Sequence, residues 1–233
     1  MSRLIFKILK RLFDVLSSGL AIVVTSSLWL VCSIGIKISS PGPVFYKSYR
    51  VCKDNKPFTM YKFRTMHVFK PQHDGQRSEG SFVENTRIFK FGSFMRKAKI
   101  DELPQLLNIL IGQMSVVGPR PVSKERSERT YVGRYANIPS VKPGLACFDS
   151  LFDYAHGELV VSSDLEYKEK VIPVRTELAK MYVDKQSIGV DIYCILRTVK
   201  LIYQIMVHKK KEFPYTKYEV EAEKTVFGTA AVK

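Results

Sequence analysis

The chain is 233 residues long and 45% hydrophobic, enough for one sizeable core or a core with a small appendage. Its 37 Lys and Arg outnumber 22 Asp and Glu, a formal charge of +15, so anionic partners are expected: nucleic acid, acidic lipid headgroups or phosphorylated small molecules. The four cysteines, Cys32, Cys52, Cys147 and Cys194, have no CxxC spacing, and no two histidines stand at metal-ligand spacing. This argues against a structural zinc site or a disulfide framework and for reduced thiols on the cytoplasmic side.

From Val15 to Ile36 the chain carries no charged residue. As one helix this run would be about 33 Å long, enough to cross a bilayer core. A secretory signal would have a shorter apolar region and a small-residue cleavage site, whereas this run ends in Lys37. Its length also makes a buried core helix the minority reading. Arg3, Lys7, Lys10 and Arg11 precede the run, and Lys37, Lys47, Arg50, Lys53 and Lys56 follow it. A single crossing would strand one basic cluster outside, so a re-entrant hairpin is favoured over a span. Thr25-Ser26-Ser27 is the most polar point of the run, and its hydroxyls suit a bend at Ser26 and Ser27. Arg11 and Asp14, three apart, are expected to pair at headgroup level.

Ser39-Ser40-Pro41-Gly42-Pro43 reads as a turn closing the membrane segment. Val44 to Met66 has the aromatic and β-branched alternation of one or two strands around a turn near Asp54-Asn55. Residues 70–85 read as a mobile polar loop and 87–99 as a helix. Leu103, Leu106, Leu107, Leu110 and Met114 then recur at helical spacing, with Asp101 as N-cap, Pro104 in the first turn and Gly112 as the stop. After Gly118-Pro119-Arg120-Pro121 helix is expected up to Pro143-Gly144, followed by helices near 164–184 and 190–208. The last of these places Ile192, Ile195, Leu196, Val199, Ile202, Ile205 and Met206 on one face and ends in His208-Lys209-Lys210-Lys211. A core helix with a solvated end and a helix resting on the bilayer both fit it. The last twenty residues show no clear pattern.

An Asp-Glu pair alone is weak evidence for chemistry, since acidic residues at helix starts are ordinary caps. Its setting is more informative. Lys62 and Arg64, Arg96, and Arg120 between two prolines are the cations a phosphate ligand needs, and proline on both sides restricts the backbone of Arg120.

Val-Phe-Tyr-Lys-Ser-Tyr-Arg at 44–50, Tyr-Lys-Phe-Arg-Thr-Met at 61–66, Arg-Lys-Ala-Lys-Ile-Asp-Glu-Leu-Pro-Gln-Leu-Leu-Asn-Ile-Leu at 96–110 and Gly-Gln-Met-Ser-Val-Val-Gly-Pro-Arg-Pro at 112–121 stand in the order found in bacterial sugar transferases. The sequence resembles the small monotopic phosphoglycosyl transferases of that family from about Lys10 to Thr198, most strongly over 44–121. The resemblance implies that Asp101 is a nucleophile toward the β-phosphate of a UDP-sugar, releasing UMP, and that polyprenyl phosphate accepts the sugar phosphate. It implies that Glu102, with Asp101, binds Mg²⁺, that Arg96 and Arg120 hold phosphate, and that Pro119, Arg120 and Pro121 lie close to the nucleotide. Lys62 and Arg64 are further candidates for substrate binding. The chain departs from the family at Ser26-Ser27, where a Ser-Pro pair is common, at Cys52, where glycine is usual, at Gln113, where an acid is usual, and at Leu145-Ala146-Cys147-Phe148.

The expected architecture is α+β and mainly helical. A membrane-embedded re-entrant helix covers 1–38, and a cytoplasmic catalytic domain with a small β element and amphipathic interfacial helices covers 39–211. A tail over 212–233 is open to disorder. The expected place is the cytoplasmic face of a bacterial inner membrane among its lipids, with no nucleic-acid partner, since Lys and Arg are dispersed and no common nucleic-acid motif appears. The rival readings are a catalytically inactive membrane scaffold, a membrane-anchored nucleic-acid-binding protein, and a transferase that moves sugar alone and releases UDP.

Overall fold

The computed structural model describes residues 3–68, 87–157, 164–208 and 212–228. The expected loop over 70–85 lies outside them. Helix α1 (Arg3–Val24) and helix α2 (Ser26–Ser39) meet at a bend of 60°. No single helix among the described residues is long and apolar enough to cross a membrane, but the bent pair together is. The break falls at Thr25 (φ −93°, ψ 6°), one residue before the expected bend, with Ser26 and Ser27 already in the first turn of α2. The Thr25 hydroxyl donates to the Ala21 carbonyl at 2.6 Å and accepts from Trp29 Nε1 at 3.1 Å. A single hydroxyl thus fastens both arms, which suits a kink where water is scarce.

Strands β1 (Phe45–Val51) and β2 (Pro57–Phe63) form an antiparallel hairpin from Phe45↔Phe63 to Val51↔Pro57. Asp54 (φ 59°) and Asn55 (φ 56°) make its turn, as expected, because short polar side chains tolerate the left-handed region. Next come α3 (Lys90–Lys97), a 3₁₀ turn over Ile100–Glu102 and α4 (Gln105–Leu110).

The expected Asp101-capped helix reaching Met114 is therefore shorter and starts later. Pro104 is the N-cap residue, and Asp101 sits in the preceding turn behind Lys99 (φ 56°). The helix stops at Gly112 (φ 91°), and the Gln113 and Met114 N–H groups both turn back to the Asn108 carbonyl. Met114 reaches the core through that turn, which is why its spacing mimicked one more helical repeat.

Strand β3 (Ser115–Val117) follows, then α5 (Lys124–Thr130). The continuous helix expected up to Pro143 is instead broken into 3₁₀ turns at Gly133–Tyr135 and Ile138–Ser140, where Gly133 (φ 56°) and Pro139 interrupt it. Strand β4 (Gly144–Ala146) pairs parallel with β3, Ser115↔Gly144 and Val117↔Ala146, a pairing the sequence did not suggest. Then come α6 (Phe148–Phe152) with a π-helical turn over Asp153–Gly157, and α7 (Asp164–Glu166) with a second over Tyr167–Val171. Helices α8 (Ile172–Lys185), α9 (Ile188–Met206) and α10 (Lys217–Phe227) complete the described chain. Helix α10 lies in the segment read as open to disorder. Its start carries a full Thr216–Glu219 capping box, its end is Gly228 in the left-handed region, and Ala222 is fully buried.

The main core joins α6, α8, α9 and α10 through Phe148, Phe152, Leu178, Tyr182, Cys194 and Ala222. Helix α1 is fastened to the rest by charges. Asp14, 2% exposed, accepts from the Ser115 hydroxyl and the Val116 N–H, each at 2.9 Å. Arg11 donates to the carbonyls of Ile109 and Leu110 at 2.7 and 2.8 Å, filling orphan acceptors at the end of α4. Lys10 pairs with Asp191 on α9 at 2.5 Å. The expected Arg11–Asp14 pair is thus replaced: each side chain finds partners in the α4–β3 layer, and burial makes the Asp14 bonds count for more than at a wet interface. Asp14→Ala strands the donors of Ser115 and Val116 and should cost about 2 kcal/mol, lowering the thermal midpoint in detergent by roughly 4–8 °C. An unchanged midpoint would show that this attachment adds no stability.

Candidate active site

Three pieces of chain that are separate in sequence meet around Glu102. The 3₁₀ turn carries Asp101 and Glu102, strand β2 carries Lys62, and the loop after β3 carries Arg120. Lys62 Nζ lies 2.8 Å and Arg120 Nη1 3.6 Å from the same Glu102 oxygen, Oε1. Burial alone would raise the Glu102 pKa, but Lys62, Arg120 and Lys99 outweigh it and hold this carboxyl well below the usual range.

Asp101 is treated in the opposite way. It is 7% exposed, and its Oδ1 has no hydrogen-bond partner. Burial pushes its pKa up, Lys62 opposes, and neighbouring Glu102 pushes up further. One carboxylate is locked in ion pairs while its neighbour keeps an uncommitted oxygen.

The scaffold explains the placement. Asn108, fully buried on α4, accepts from the Tyr61 N–H at 3.1 Å and donates to the Thr59 carbonyl at 2.8 Å. This stitches the catalytic turn to the free edge of β2 and so sets Lys62 against Glu102. Asn108 also donates to Gln113 Oε1 at 2.8 Å, a contact in which an amide oxygen serves as a carboxylate would. Lys99 lies over the Tyr154 ring at 4.2 Å, and the Tyr154 hydroxyl donates to the Lys97 carbonyl, so the π-helical segment braces the turn from outside.

The Gly118-Pro119-Arg120-Pro121 loop is held residue by residue. The Gly118 N–H donates to the Ala146 carbonyl at 3.0 Å, the Pro119 carbonyl accepts from Gly144 at 2.9 Å, and the Arg120 N–H donates to Asp149 Oδ2 at 3.0 Å. A Cβ on Gly144 would stand 2.2 Å from the Gly118 nitrogen, so the strands can approach this closely only with glycine there. Asn108, Lys99, Tyr154 and Asp149 were not among the residues singled out in sequence. Asp149 carried no signal, because what it does depends on a contact 29 positions away.

A family model described as bacterial sugar transferase matches residues 5–205. The chain belongs to that family. It is 36% identical over 194 residues to a UDP-glucose:undecaprenyl-phosphate glucose-1-phosphate transferase of Klebsiella pneumoniae, covering 82% of this chain and 39% of that protein. It is 33% identical over 205 residues to a UDP-N-acetylgalactosamine-undecaprenyl-phosphate N-acetylgalactosaminephosphotransferase of Aeromonas hydrophila, covering 85% of this chain and 44% of that one. Sugar transferase EpsL of Bacillus subtilis is 34% identical over 196 residues, 84% of this chain and 87% of EpsL. The chain thus spans about two fifths of the length of the first two relatives and most of the third.

In this bacterial sugar transferase family member the structure brings Lys62, Asp101, Glu102 and Arg120 together. Arg96 is half-buried and acts on Asp101 through space, and Pro119 and Pro121 frame Arg120. Arg64 is placed differently from the sequence expectation of substrate binding. It is 4% exposed and donates to the Pro43 carbonyl at 2.6 Å, to the Ser40 hydroxyl and carbonyl at 2.8 and 2.7 Å, and to the Met66 carbonyl at 3.3 Å. These bonds clamp the turn after α2 and commit the guanidinium to backbone.

Among the described residues no three His, Cys, Asp or Glu side chains converge to hold a metal by themselves. A magnesium ion commonly takes only one or two carboxylates and completes its shell with substrate phosphates and water. The uncommitted Asp101 Oδ1 beside Glu102 fits that pattern.

The two carboxylates predict opposite effects on stability. A carboxyl whose pKa is raised by folding costs stability once pH exceeds its unfolded value, so Asp101→Asn should raise the thermal midpoint at neutral pH by about 2–4 °C. A carboxyl whose pKa is depressed adds stability above its unfolded value and loses it only as pH falls through the folded value, so Glu102→Gln should lower the midpoint. Matching shifts of the same sign would contradict the division of roles.

Proposed function

We propose that this protein transfers a sugar phosphate from a UDP-sugar to a polyprenyl phosphate, with Asp101 as nucleophile and UMP as leaving group, and so begins a bacterial surface glycan. The observation that carries the reading is the buried Asp101 oxygen left without a partner among the described residues while Lys62 and Arg120 pair with Glu102. An Asp101 oxygen attacks the β-phosphorus, and the bond to the bridging oxygen breaks. That oxygen leaves with UMP, and the sugar phosphate remains on Asp101 as an acyl phosphate. An oxygen of polyprenyl phosphate then attacks the same phosphorus, and the bond to Asp101 breaks, giving a polyprenyl diphosphate sugar and the original carboxylate. Lys62, Arg96 and Arg120 offset the repulsion between a carboxylate and a diphosphate, and Glu102 keeps Lys62 and Arg120 in place. Mg²⁺ held by Asp101 and Glu102 would neutralise further phosphate charge. The relatives named for undecaprenyl phosphate and UDP-sugars support this substrate class, and their two different sugars leave the hexose open.

The membrane is the expected place because the acceptor is a lipid. Helices α1 and α2 expose Leu4, Leu12, Leu16, Leu20, Leu30 and Ile34, and their basic flanks favour entry and exit by the cytoplasmic face of the inner membrane. With both arms inclined equally at this bend, α2, about 21 Å long, would reach about 10 Å deep, within one leaflet. Helix α9 exposes Ile188, Ile192, Leu196, Val199, Tyr203 and Val207 as one stripe while Cys194 and Leu201 pack inward. That exposure favours the bilayer reading of α9 over the core reading.

The decisive assay is nucleotide release in detergent with UDP-sugars, polyprenyl phosphate and Mg²⁺. UMP should appear with the native chain and fall at least about a thousandfold with Asp101→Asn. UDP instead of UMP would mean sugar transfer alone, and no release across a broad sugar panel would favour an inactive scaffold. Separately, Ile192→Glu with Val199→Glu should weaken flotation with anionic liposomes. Equal flotation would remove α9 from the membrane contact.

A further inference from the structure

Within electrostatic reach of Arg120 lies a polar cluster that the proposed reaction does not use. Arg175 on α8, 5% exposed, pairs with Asp153 Oδ2 at 3.1 Å and donates to the Tyr167 hydroxyl, which itself donates to Asp153 Oδ1 at 2.6 Å. The Arg175 Nε is buried with no hydrogen-bond partner. Asp149, one turn before Asp153, holds the Arg120 N–H, so this cluster and the catalytic loop share a support.

Arg126 lies in the first turn of α5, where Ser123 caps its backbone N–H at 3.2 Å, within electrostatic reach of Arg175, Tyr167 and Asp153. Its guanidinium is half-buried and has no hydrogen bond or ion pair among the described residues. Burial and the neighbouring Arg175 both lower its pKa, against Tyr131, Tyr167 and Asp153. A guanidinium desolvated beside another cation, with no carboxylate of its own, is costly unless an anion completes it.

We propose that Arg126 and Arg175 form a second anion subsite next to Arg120, which takes the phosphate of the departing nucleoside monophosphate. The inference rests on the donor and leaving group proposed above. A nucleoside diphosphate sugar has two phosphates one bridging oxygen apart. While one is attacked beside Asp101, the other needs cations of its own. When the bond breaks its electron pair stays on the bridging oxygen, so negative charge grows on the departing phosphate, where a fixed guanidinium stabilises it most. The lipid acceptor is a poorer occupant. Helix α5 exposes Lys124, Glu125, Glu128 and Arg129, whereas the exposed apolar stripes run along α1, α2 and α9.

The test compares the native chain in detergent with Arg126→Gln and Arg126→Lys. Calorimetry reads UMP binding, and steady-state assays read KM for polyprenyl phosphate. Arg126→Gln should weaken UMP about tenfold or more and leave the acceptor KM unchanged, and Arg126→Lys should recover part of the loss. UMP binding equal to native, or a rise confined to the acceptor KM, overturns the subsite. A native chain that releases UDP, or whose release survives Asp101→Asn, fails at the level of the reaction and is told apart by those controls.

Discussion

Adjacent carboxylates cannot both be buried as bare anions, and the site of this protein is organised around that constraint. Glu102 is compensated by Lys62 and Arg120, which converge on one of its oxygens. Asp101, one residue earlier, is buried with an oxygen that no described residue satisfies. Pairing Lys62 and Arg120 with Glu102 gathers positive charge beside Asp101 while an Asp101 oxygen stays uncommitted. A neutral residue at 102 would release Lys62 from its ion pair and leave it to act on Asp101.

The rest of the fold serves this arrangement. Asn108 ties the catalytic turn to β2, the β3–β4 pair and Asp149 fix the loop of Arg120, and Tyr154 braces Lys99. Helix α1 enters the same framework through Asp14 and Arg11, which reach β3 and the end of α4. The apolar helix and the chemical centre are therefore one mechanical unit. The buried polar bonds fix the height of Asp101 relative to the apolar helix pair.

Much of this was legible in sequence because it is local. The hairpin announced itself by alternation and an Asp54-Asn55 turn, and α9 by a long apolar period. The Asp-Glu and Pro-Arg-Pro motifs carried the family resemblance. The misreadings also have local causes. Met114 fell at a helical spacing that a turn at Gly112 produces equally well. The tail concealed a Thr216-Lys217-Tyr218-Glu219 capping box in a stretch of low hydrophobicity. Arg64 looked like a phosphate ligand because a cation in a motif gives no sign of which acceptors surround it.

The sequence by itself determined the apolar anchor, the hairpin, and which residues are chemically able to act, since these depend on composition and on neighbours a few positions apart. Tertiary structure decided which of those residues meet. It withdrew Arg64 into a clamp on the Ser40 turn, gave Lys62 and Arg120 to Glu102, and left an Asp101 oxygen without a partner among the described residues. The physical reason is that charge is assigned by distance and burial, and between segments well separated along the chain both are fixed only once the chain has packed.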